Sequence, residues 1–231
     1  EIIAERHHVS RDEADKYALS SYKKALAAIE QGAFKTEIVP VEVKQPNGLV
    51  GMFENDECVR PHTTLEGLKA LKPVFKPGGV LTAGNSSQLS DGAAAVVVAS
   101  EARAKSKGME ILARIVDYGQ AAVKPELVME APVPACKALL KKADFSIRDM
   151  DLVEHNEAYS TASIVVSEEL GIPENKFNVN GGAIALGHPL GCSGARVVVT
   201  LINALKARKL HRGLATLCLG GGEAVAMIIE V

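Results

Sequence analysis

Residues 178–196 form the stretch NVNGGAIALGHPLGCSGAR, which connects a short predicted strand at 177–179 to a predicted helix at 192–208. Glycines at this density allow tight turns and a close approach of the backbone to its neighbours. No Gly-Lys-Ser or Gly-Lys-Thr follows, so this is not a phosphate-binding P-loop. His188 stands between a glycine and a proline, which predicts a titratable imidazole at the tip of a rigid loop. The alternative is that the glycines serve only helix–sheet packing and that His188 caps a turn.

Strands and helices alternate on both sides of this stretch. The predicted strands lie at 93–99, 111–118, 151–154, 177–179, 214–219 and 225–231, and the predicted helices at 100–107, 134–143, 157–170 and 192–208. The run AAAVVVA at 93–99 is apolar throughout, which predicts a central strand. The alternation predicts an α/β fold, with a buried sheet and helices on both faces.

The N-terminal part of the chain has a different pattern. Ser10-Arg11-Asp12-Glu13 has the form of a capping box and predicts the start of a helix that Gly32 ends. Residues 37–44 alternate as a strand, and Pro40 marks this strand as an edge. A short helix is predicted to open near Thr64.

Three parts follow from these patterns. Residues 1–79 are predicted to be an α+β segment, residues 80–108 the last strand and helix of a domain that precedes them, and residues 109–231 an α/β domain. The chain begins without Met and, by its pattern, inside a helix. We therefore expect a fragment or the second piece of a split protein.

Composition excludes several classes of function. The net charge is −2 and no basic stripe with interleaved aromatics occurs, so we expect no nucleic-acid partner. No apolar run approaches the roughly 20 residues that span a bilayer, so we expect no membrane association. The four cysteines are widely spaced, which argues against a metal site or a disulfide framework and favours a cytoplasmic protein.

Two further loops follow predicted strands, where open α/β sheets usually bind ligands. In the first, EHNEAY at 154–159, Asn156 either carries chemistry or only caps the next helix. In the second, LCLGGGE at 217–223, Cys218 is either inert core or a thiol beside bare backbone N–H groups, which would suit acid/base work near an oxyanion.

Together and in this order, these segments resemble the thiolase family. NEAY at 156–159 resembles the family's NEAF loop, residues 178–196 its histidine loop, and CLGGG at 218–222 its second-cysteine loop. TAGNSS at 82–87, DGAAA at 91–95 and the helix SRDEADKYALSSYKKALAA at 10–28 also resemble family segments. The resemblance runs from end to end of the chain. It implies a thiolase fold, of which this chain supplies the C-terminal half-domain, a mixed sheet with helices on both faces, and the α+β segment that faces coenzyme A (CoA).

The resemblance also implies catalytic roles. His188 would activate a nucleophilic cysteine and help hold the thioester oxygen, and Asn156 would position a water that completes this oxyanion site. Cys218 would move the proton at the α-carbon of the acyl-CoA, with the backbone N–H of Gly220 in a second oxyanion hole. We expect the amide dipoles beside His188 to lower the pKa of the Cys218 thiol.

The same resemblance implies a CoA-binding set. Ser87 would lie against the pantetheine and Arg60 near the adenine nucleotide, and Ala158 and Tyr159 would lie at the acyl end. Ala83 belongs to the same set. No cofactor is expected, since CoA thioesters are the substrates.

The family's nucleophilic cysteine belongs to an N-terminal domain that is not in this sequence. We therefore expect a second polypeptide that carries it, in a homo- or hetero-oligomer acting on acetyl-CoA or another acyl-CoA and on CoA. The expected activity is acetyl-CoA acetyltransferase. A longer-chain 3-ketoacyl-CoA thiolase and a non-catalytic acyl-CoA-binding or scaffold subunit are the alternatives. The segment 129–132 stands where relatives have a glycine-rich turn, so we expect the acyl end of the site to differ.

Overall fold

The computed structural model describes residues 1–44 and 48–231. The α-helices in these ranges are α1 (Ile2–Arg6), α2 (Arg11–Glu30), α3 (Leu65–Lys69), α4 (Glu101–Ser106), α5 (Pro132–Lys142), α6 (Ser160–Leu170), α7 (Ala183–Leu186) and α8 (Leu190–Arg208). The strands are β1 (Val41–Lys44), β2 (Val50–Phe53), β3 (Arg114–Ala122), β4 (Leu152–His155), β5 (Arg212–Leu219) and β6 (Glu223–Glu230). Short 3₁₀ turns cover Pro125–Glu130, Ile147–Asp149 and Glu174–Lys176.

The predicted capping box starts α2. The Glu13 amide donates to Ser10 Oγ at 3.2 Å, and the Ser10 amide donates to Glu13 Oε2 at 2.8 Å. These two bonds satisfy donors that the first helical turn leaves free. β1 and β2 pair antiparallel, so only the second half of the strand predicted at 37–44 is strand.

The main sheet has four strands in the order β3-β6-β5-β4. β4 and β5 are parallel, while β6 pairs antiparallel with both β5 and β3. A mixed sheet is therefore confirmed. The connection from β4 to β5 runs through α6, α7 and α8, and the short turn from β5 to β6 is made by glycines.

Neighbouring residues of each strand point into two separate cores. Leu214 and Ile228 face α5 and α6, whereas Ala215 and Ile229 face α8. Because side chains alternate along a strand, these cores lie on opposite faces of the sheet. Each fully buried Ile or Leu contributes about 1.5–3 kcal/mol to folding. The predicted placement of helices on both faces is confirmed.

By length and composition, helix α8 is long and apolar enough to cross a membrane. We had expected no apolar run of that length from the sequence. Its residues Val197, Leu201 and Leu205 are at most 1% exposed, because they pack on the α8 face of the sheet. This packing is that of a core helix.

The strand predicted at 93–99 is wrong for the part of the chain that the structure describes. Residues 93–99 belong to no strand there, and Val97 and Val98 are 84% and 72% exposed. A strand requires a neighbour to accept its backbone hydrogen bonds, and none lies beside this segment within residues 1–44 and 48–231.

Other boundaries also differ from prediction, and two of these differences lie at the site loops. Residues 177–179 make only isolated bridges, from Phe177 to Val153 and from Val179 to Gly181, instead of a strand. The helix predicted at 157–170 begins at Ser160, with Tyr159 as its N-cap, so Asn156 caps no helix. The alternative that Asn156 serves only as a helix cap is therefore wrong.

Candidate active site

Asn156 lies at the end of β4, directly after the last paired residue. Its amide donates to the Thr216 carbonyl of β5 at 3.1 Å, which fixes its backbone against the neighbouring strand. The side chain is fully buried, and its Oδ1 atom has no hydrogen-bond partner among the described residues. A buried polar atom without a partner is unusual. Oδ1 is thus available to hold a water or a ligand group.

His188 is held at the tip of the glycine-rich loop from both sides. Gly187 before it has φ +95°, and a Cβ there would lie 2.4 Å from Ser90 Oγ, so only glycine fits. The His188 amide donates to the Gln88 carbonyl at 3.1 Å. Proline follows, and α8 begins one residue later.

The contact between His188 and Ser193 selects one imidazole tautomer. His188 Nδ1 lies 2.6 Å from Ser193 Oγ, and the same hydroxyl donates to the Pro189 carbonyl at 3.1 Å. Since the hydroxyl proton goes to Pro189, Ser193 Oγ accepts from Nδ1–H. The other ring nitrogen, Nε2, therefore carries the lone pair. Burial lowers the pKa of His188, and the charge of Arg196 lowers it further, which favours a neutral base.

Asn156 and His188 are brought into contact, as the resemblance implies. Asn156 Nδ2 lies 3.3 Å from His188 Nε2. An amide N–H that donates to Nε2 agrees with the tautomer set by Ser193. Two loops that are 32 residues apart in sequence therefore present an imidazole lone pair and an unpartnered amide oxygen side by side.

Cys218 lies near the end of β5, the parallel neighbour of β4. It is two residues beyond Thr216, whose carbonyl binds the Asn156 amide, and parallel strands lie about 4.8 Å apart. The thiol is partly buried, and Sγ lies 3.9 Å from Met129 Sδ. Gly220, two residues on, is exposed in the turn before β6.

The expectation of a lowered thiol pKa is wrong. Burial raises the pKa of Cys218, outweighing the lowering effect of a backbone hydrogen bond. Desolvation of the buried sulfur disfavours the thiolate. Cys218 therefore rests as a thiol at neutral pH.

Residues assigned to CoA binding lie together around one segment. The Ser87 amide donates to the Ala158 carbonyl at 3.0 Å, and Ser86 bridges to Tyr159. The Tyr159 ring meets Phe75 edge to face with a centroid distance of 5.7 Å. Ala83 is exposed and lies four residues before Ser87 in the sequence.

Gln88 joins the predicted nucleotide-binding residue to the histidine loop. Arg60 is exposed and donates from Nη2 to Gln88 Oε1 at 3.2 Å. Gln88 Nε2 donates to the Cys58 carbonyl at 2.8 Å and to the Ile184 carbonyl at 3.2 Å. Sequence reasoning missed this glutamine, because a single polar residue in a loop carries no signal of its partners.

Glu157 is a second residue that sequence reasoning missed. Its buried carboxylate accepts from Tyr17 Oη at 2.8 Å, Ser21 Oγ at 2.6 Å and Asn178 Nδ2 at 3.0 Å. It also accepts from the Ile184 amide at 3.2 Å. One side chain thus fastens the Asn156 loop to α2 and to the start of the histidine loop.

A buried ion pair joins β4 to α8 beside the two site loops. Arg196 Nη1 donates to Glu154 Oε1 at 2.9 Å, and Glu154 is 1% exposed. Burial raises the pKa of Glu154 to about 8 despite the opposing charge of Arg196. The neighbouring His155 is fully buried, with Nδ1 3.1 Å from Ser163 Oγ, and burial lowers its pKa to about 3.

The other cysteines carry no comparable arrangement. Burial raises the pKa of Cys136 to about 12, which makes it inert. Burial also raises the pKa of Cys192. Within residues 1–44 and 48–231, no three His, Cys, Asp or Glu side chains are grouped to hold a metal ion.

Comparison with known proteins decides the family. A family model described as the thiolase C-terminal domain matches residues 109–231, and one described as the thiolase N-terminal domain matches residues 1–102. The chain belongs to the thiolase family. Its relatives include an acetyl-CoA acetyltransferase of Pseudomonas aeruginosa, 48% identical over 229 residues, which are 99% of this chain and 58% of the relative. A 3-ketoacyl-CoA thiolase of Vibrio parahaemolyticus is 46% identical over 234 residues, which cover 100% of this chain and 60% of the relative.

Solved thiolase structures confirm the thiolase fold. The Bacillus anthracis acetyl-CoA acetyltransferase superposes with a TM-score of 0.96 at 46% identity, over 99% of this chain and 58% of that one. Human mitochondrial 3-ketoacyl-CoA thiolase in complex with CoA superposes with a TM-score of 0.92 at 42% identity, over 99% of this chain and 56% of that one. The chain thus spans a little under three-fifths of the length of these thiolases.

Proposed function

We propose that this thiolase chain supplies the CoA-facing part and the acid/base machinery of an acetyl-CoA acetyltransferase. The observation that supports this most directly is the contact of Asn156 with His188 Nε2, beside a cysteine at the neighbouring strand end. The proposed reaction joins two acetyl-CoA molecules into acetoacetyl-CoA and CoA, or runs in reverse. It would proceed in two steps, with a nucleophilic cysteine supplied by a second polypeptide or by a preceding part of the same protein.

In the first step, the acetyl group moves from CoA to the nucleophilic cysteine. A new sulfur–carbon bond forms as the bond between the acetyl carbon and the CoA sulfur breaks. The nucleophilic thiol gives its proton to His188 Nε2, and the Cys218 thiol gives its proton to the departing CoA sulfur, which leaves Cys218 as a thiolate. Nε2 can accept this proton because Ser193 holds the other ring proton on Nδ1.

In the second step, Cys218 acts on the α-carbon of another acetyl-CoA. Its thiolate takes a proton from that carbon and becomes a thiol again. The carbanion attacks the acetyl-cysteine carbonyl, and the nucleophilic sulfur leaves with its bonding electrons and takes the proton held on His188 Nε2. While the carbanion exists, a water on Asn156 Oδ1 and the protonated His188 Nε2 would stabilise the thioester oxygen. The raised pKa of Cys218 makes its thiolate a stronger base once formed, which suits a weak C–H acid.

CoA would lie along the segment that joins Arg60, Ser87, Ala158 and Tyr159. The Arg60 guanidinium is exposed and available to the nucleotide. It donates to the side chain of Gln88, and the backbone carbonyl of the same glutamine accepts from the His188 amide. The human thiolase that superposes on this chain was solved with CoA. We propose that CoA thioesters are the substrates and that the assembled enzyme is an oligomer of the cytoplasm.

Reconstitution with an N-terminal part that carries the nucleophilic cysteine tests the proposal. We expect acetoacetyl-CoA cleavage by CoA in the complex and none by this chain alone. Cys218→Ser should lower turnover by about 10²–10⁴-fold, the usual worth of a general acid/base. Cys192→Ala is the matched control and should retain activity. Normal turnover by Cys218→Ser would contradict the proposal and favour an acyl-CoA-binding scaffold.

Chain-length kinetics distinguish the proposed acetyl-CoA acetyltransferase from the second enzymatic candidate, a longer-chain 3-ketoacyl-CoA thiolase. Relatives named acetyl-CoA acetyltransferase and 3-ketoacyl-CoA thiolase are 48% and 46% identical to this chain, so identity does not discriminate between them. A higher kcat/KM for long 3-ketoacyl-CoA substrates than for acetoacetyl-CoA would favour the 3-ketoacyl-CoA thiolase.

A further inference from the structure

Gln88 replaces a missing helical hydrogen bond in the turn that carries His188. In a continuing helix the His188 amide would donate to the Ile184 carbonyl. The chain leaves α7 at Gly187, whose φ is +95°, so both groups need another partner. The Gln88 backbone carbonyl accepts from the His188 amide at 3.1 Å, and Gln88 Nε2 donates to the Ile184 carbonyl at 3.2 Å. One residue therefore holds both ends of the histidine turn, residues 184–188.

The side-chain amide of Gln88 has one orientation that satisfies its neighbours. Its Nε2 group also donates to the Cys58 carbonyl at 2.8 Å. Carbonyl oxygens accept and cannot donate, so the NH₂ group faces these two carbonyls. The Oε1 atom of the same amide accepts from Arg60 Nη2 at 3.2 Å. Because a guanidinium only donates, the amide would lose all three hydrogen bonds if it turned round.

The two ends of this connection differ in exposure. Ile184 is fully buried in a cluster with Tyr22 and Leu68, whereas Arg60 is exposed. The Arg60 carbonyl accepts from Thr63 Oγ1 at 2.9 Å, which fixes the backbone of the arginine. Within residues 1–44 and 48–231, the Arg60 guanidinium makes one hydrogen bond, to Gln88. Its other N–H groups are therefore available to an anionic ligand.

We propose that Gln88 is a positioning residue, which transmits the binding of the CoA nucleotide at Arg60 to the orientation of His188. This inference rests on the proposed function, in which Arg60 meets the nucleotide and His188 takes the thiol proton. A phosphate group bound to Arg60 would fix the guanidinium and with it Oε1 of Gln88. Since Oε1 and Nε2 belong to one planar amide, the bond to the Ile184 carbonyl is fixed as well. Binding energy from the remote nucleotide would then raise kcat, because it orients a reacting group.

Kinetics of the reconstituted enzyme with truncated substrates test the inference. Acetoacetyl-CoA with CoA is compared with acetoacetyl-pantetheine and pantetheine, which lack the nucleotide. In the wild type we expect kcat to be about 10–100-fold higher with the CoA substrates, the usual effect of a misplacement of about 1 Å. Gln88→Met conserves the length of the side chain and removes its hydrogen bonds, so this ratio should fall to about 1. A residue that only stabilises the fold would lower both kcat values equally and leave the ratio unchanged.

Arg60→Met is the matched comparison. It removes the nucleotide contact but leaves the bonds of Gln88 to the two carbonyls, so the ratio should also fall, and the double variant should fall no further. Gln31→Met, at the exposed end of α2, should keep the wild-type ratio. Gln88→Glu serves if the methionine variant fails to fold, since a carboxylate cannot donate to the carbonyls. A wild-type ratio near unity, or a wild-type ratio in Gln88→Met, would overturn the inference.

Hydrogen exchange of the same complex gives a measurement that needs no turnover. CoA should slow exchange of the amides of the histidine turn at least about 10-fold in the wild type, and pantetheine should not. Gln88→Met and Arg60→Met should both lose this response, and only Gln88→Met should exchange faster before CoA is added. No response in the wild type, or an equal response in Gln88→Met, would overturn the inference. A wild-type complex that cleaves no acetoacetyl-CoA would overturn the proposed function, and the exchange with CoA would still decide the role of Gln88.

Discussion

At the scale of single residues, two histidine–serine pairs offer an internal comparison. His188 Nδ1 lies 2.6 Å from Ser193 Oγ in the site, and His155 Nδ1 lies 3.1 Å from Ser163 Oγ in the core. Each serine can set the tautomer of its own imidazole. Only the first pair presents its other nitrogen to a neighbouring site residue, Asn156.

Ser193→Ala should release the tautomer of His188. We expect ¹⁵N spectra of histidine-labelled protein to show a mixture of Nδ1–H and Nε2–H forms for His188, because the acceptor for Nδ1–H is lost. Turnover of the reconstituted enzyme should fall by up to about 100-fold. Ser163→Ala should change the spectrum of His155 alone. An unaltered His188 spectrum in Ser193→Ala would show that another group holds the ring.

His155 should make the fold sensitive to acid. Its pKa falls from 6.5 to about 3 in the folded protein, so only the unfolded chain binds the proton between these values. Stability from this residue is complete above pH 6.5 and is lost as the pH falls, by about 1.4 kcal/mol per unit. Urea unfolding should show the wild type losing about 2 kcal/mol more than His155→Phe between pH 7 and pH 5. Parallel losses in the two proteins would refute this role.

Among the elements, β4 and α8 are joined by the Glu154–Arg196 pair. Arg196→Met would remove the counter-charge of Glu154 and the hydrogen bond to its buried carboxyl group, at a cost of about 1–3 kcal/mol. Because the folded pKa of Glu154 lies above its ordinary value, the protonated form stabilises the fold, and this contribution is lost as the pH rises from 4.5 through about 8. The destabilisation should therefore be larger at pH 8 than at pH 6.

The double variant Glu154→Gln, Arg196→Met provides the control. It has neither charge, so its unfolding free energy should show no extra loss between pH 6 and pH 8 beyond that of other groups. A single variant that is equally destabilised at both pH values would mean that Arg196 acts through packing and not through charge.

The sequence predicts elements well where their signals are local. The α2 capping box, the end of α6 at Gly171 and the glycine turn before β6 all depend on neighbours within a few residues. The prediction of a strand at 93–99 was wrong because a strand needs a neighbouring strand, and none lies beside this segment in the described residues.

The site residues also differ in whether the sequence could predict them. The pairing of Asn156 with His188 could be predicted because whole motifs resemble a family. The anchoring by Glu157 and Gln88, and the contact of Met129 with Cys218, depend on which distant segments meet in space. The direction of the Cys218 pKa shift was missed for that reason, since the burial of the thiol depends on distant segments such as that of Met129, 89 residues away in sequence.

At the scale of the whole molecule, the exposed run at 93–99 leads to a prediction. We expect this chain alone to bind hydrophobic dyes and to aggregate, because contiguous exposed apolar side chains promote association. An added N-terminal thiolase part should bind it. Hydrogen exchange of the amides at 93–99 should then slow by at least about 10-fold, as their N–H groups acquire partners. The exposed amides of β2 are a control that should not change. A stable, active monomer of this chain alone would contradict the proposed partner.

The carboxylate of Glu157 has a consequence for the order of folding. Its donors Tyr17 and Ser21 are 140 and 136 residues away along the chain, while the Ile184 amide is 27 residues away. Contacts that close such long loops are slow to form, because the chain must lose much entropy before they stabilise it. We therefore expect refolding to restore the helices first and the contacts of Glu157 with α2 late. A CoA-binding signal recorded during refolding would then measure when α2 packs against α6 and α7.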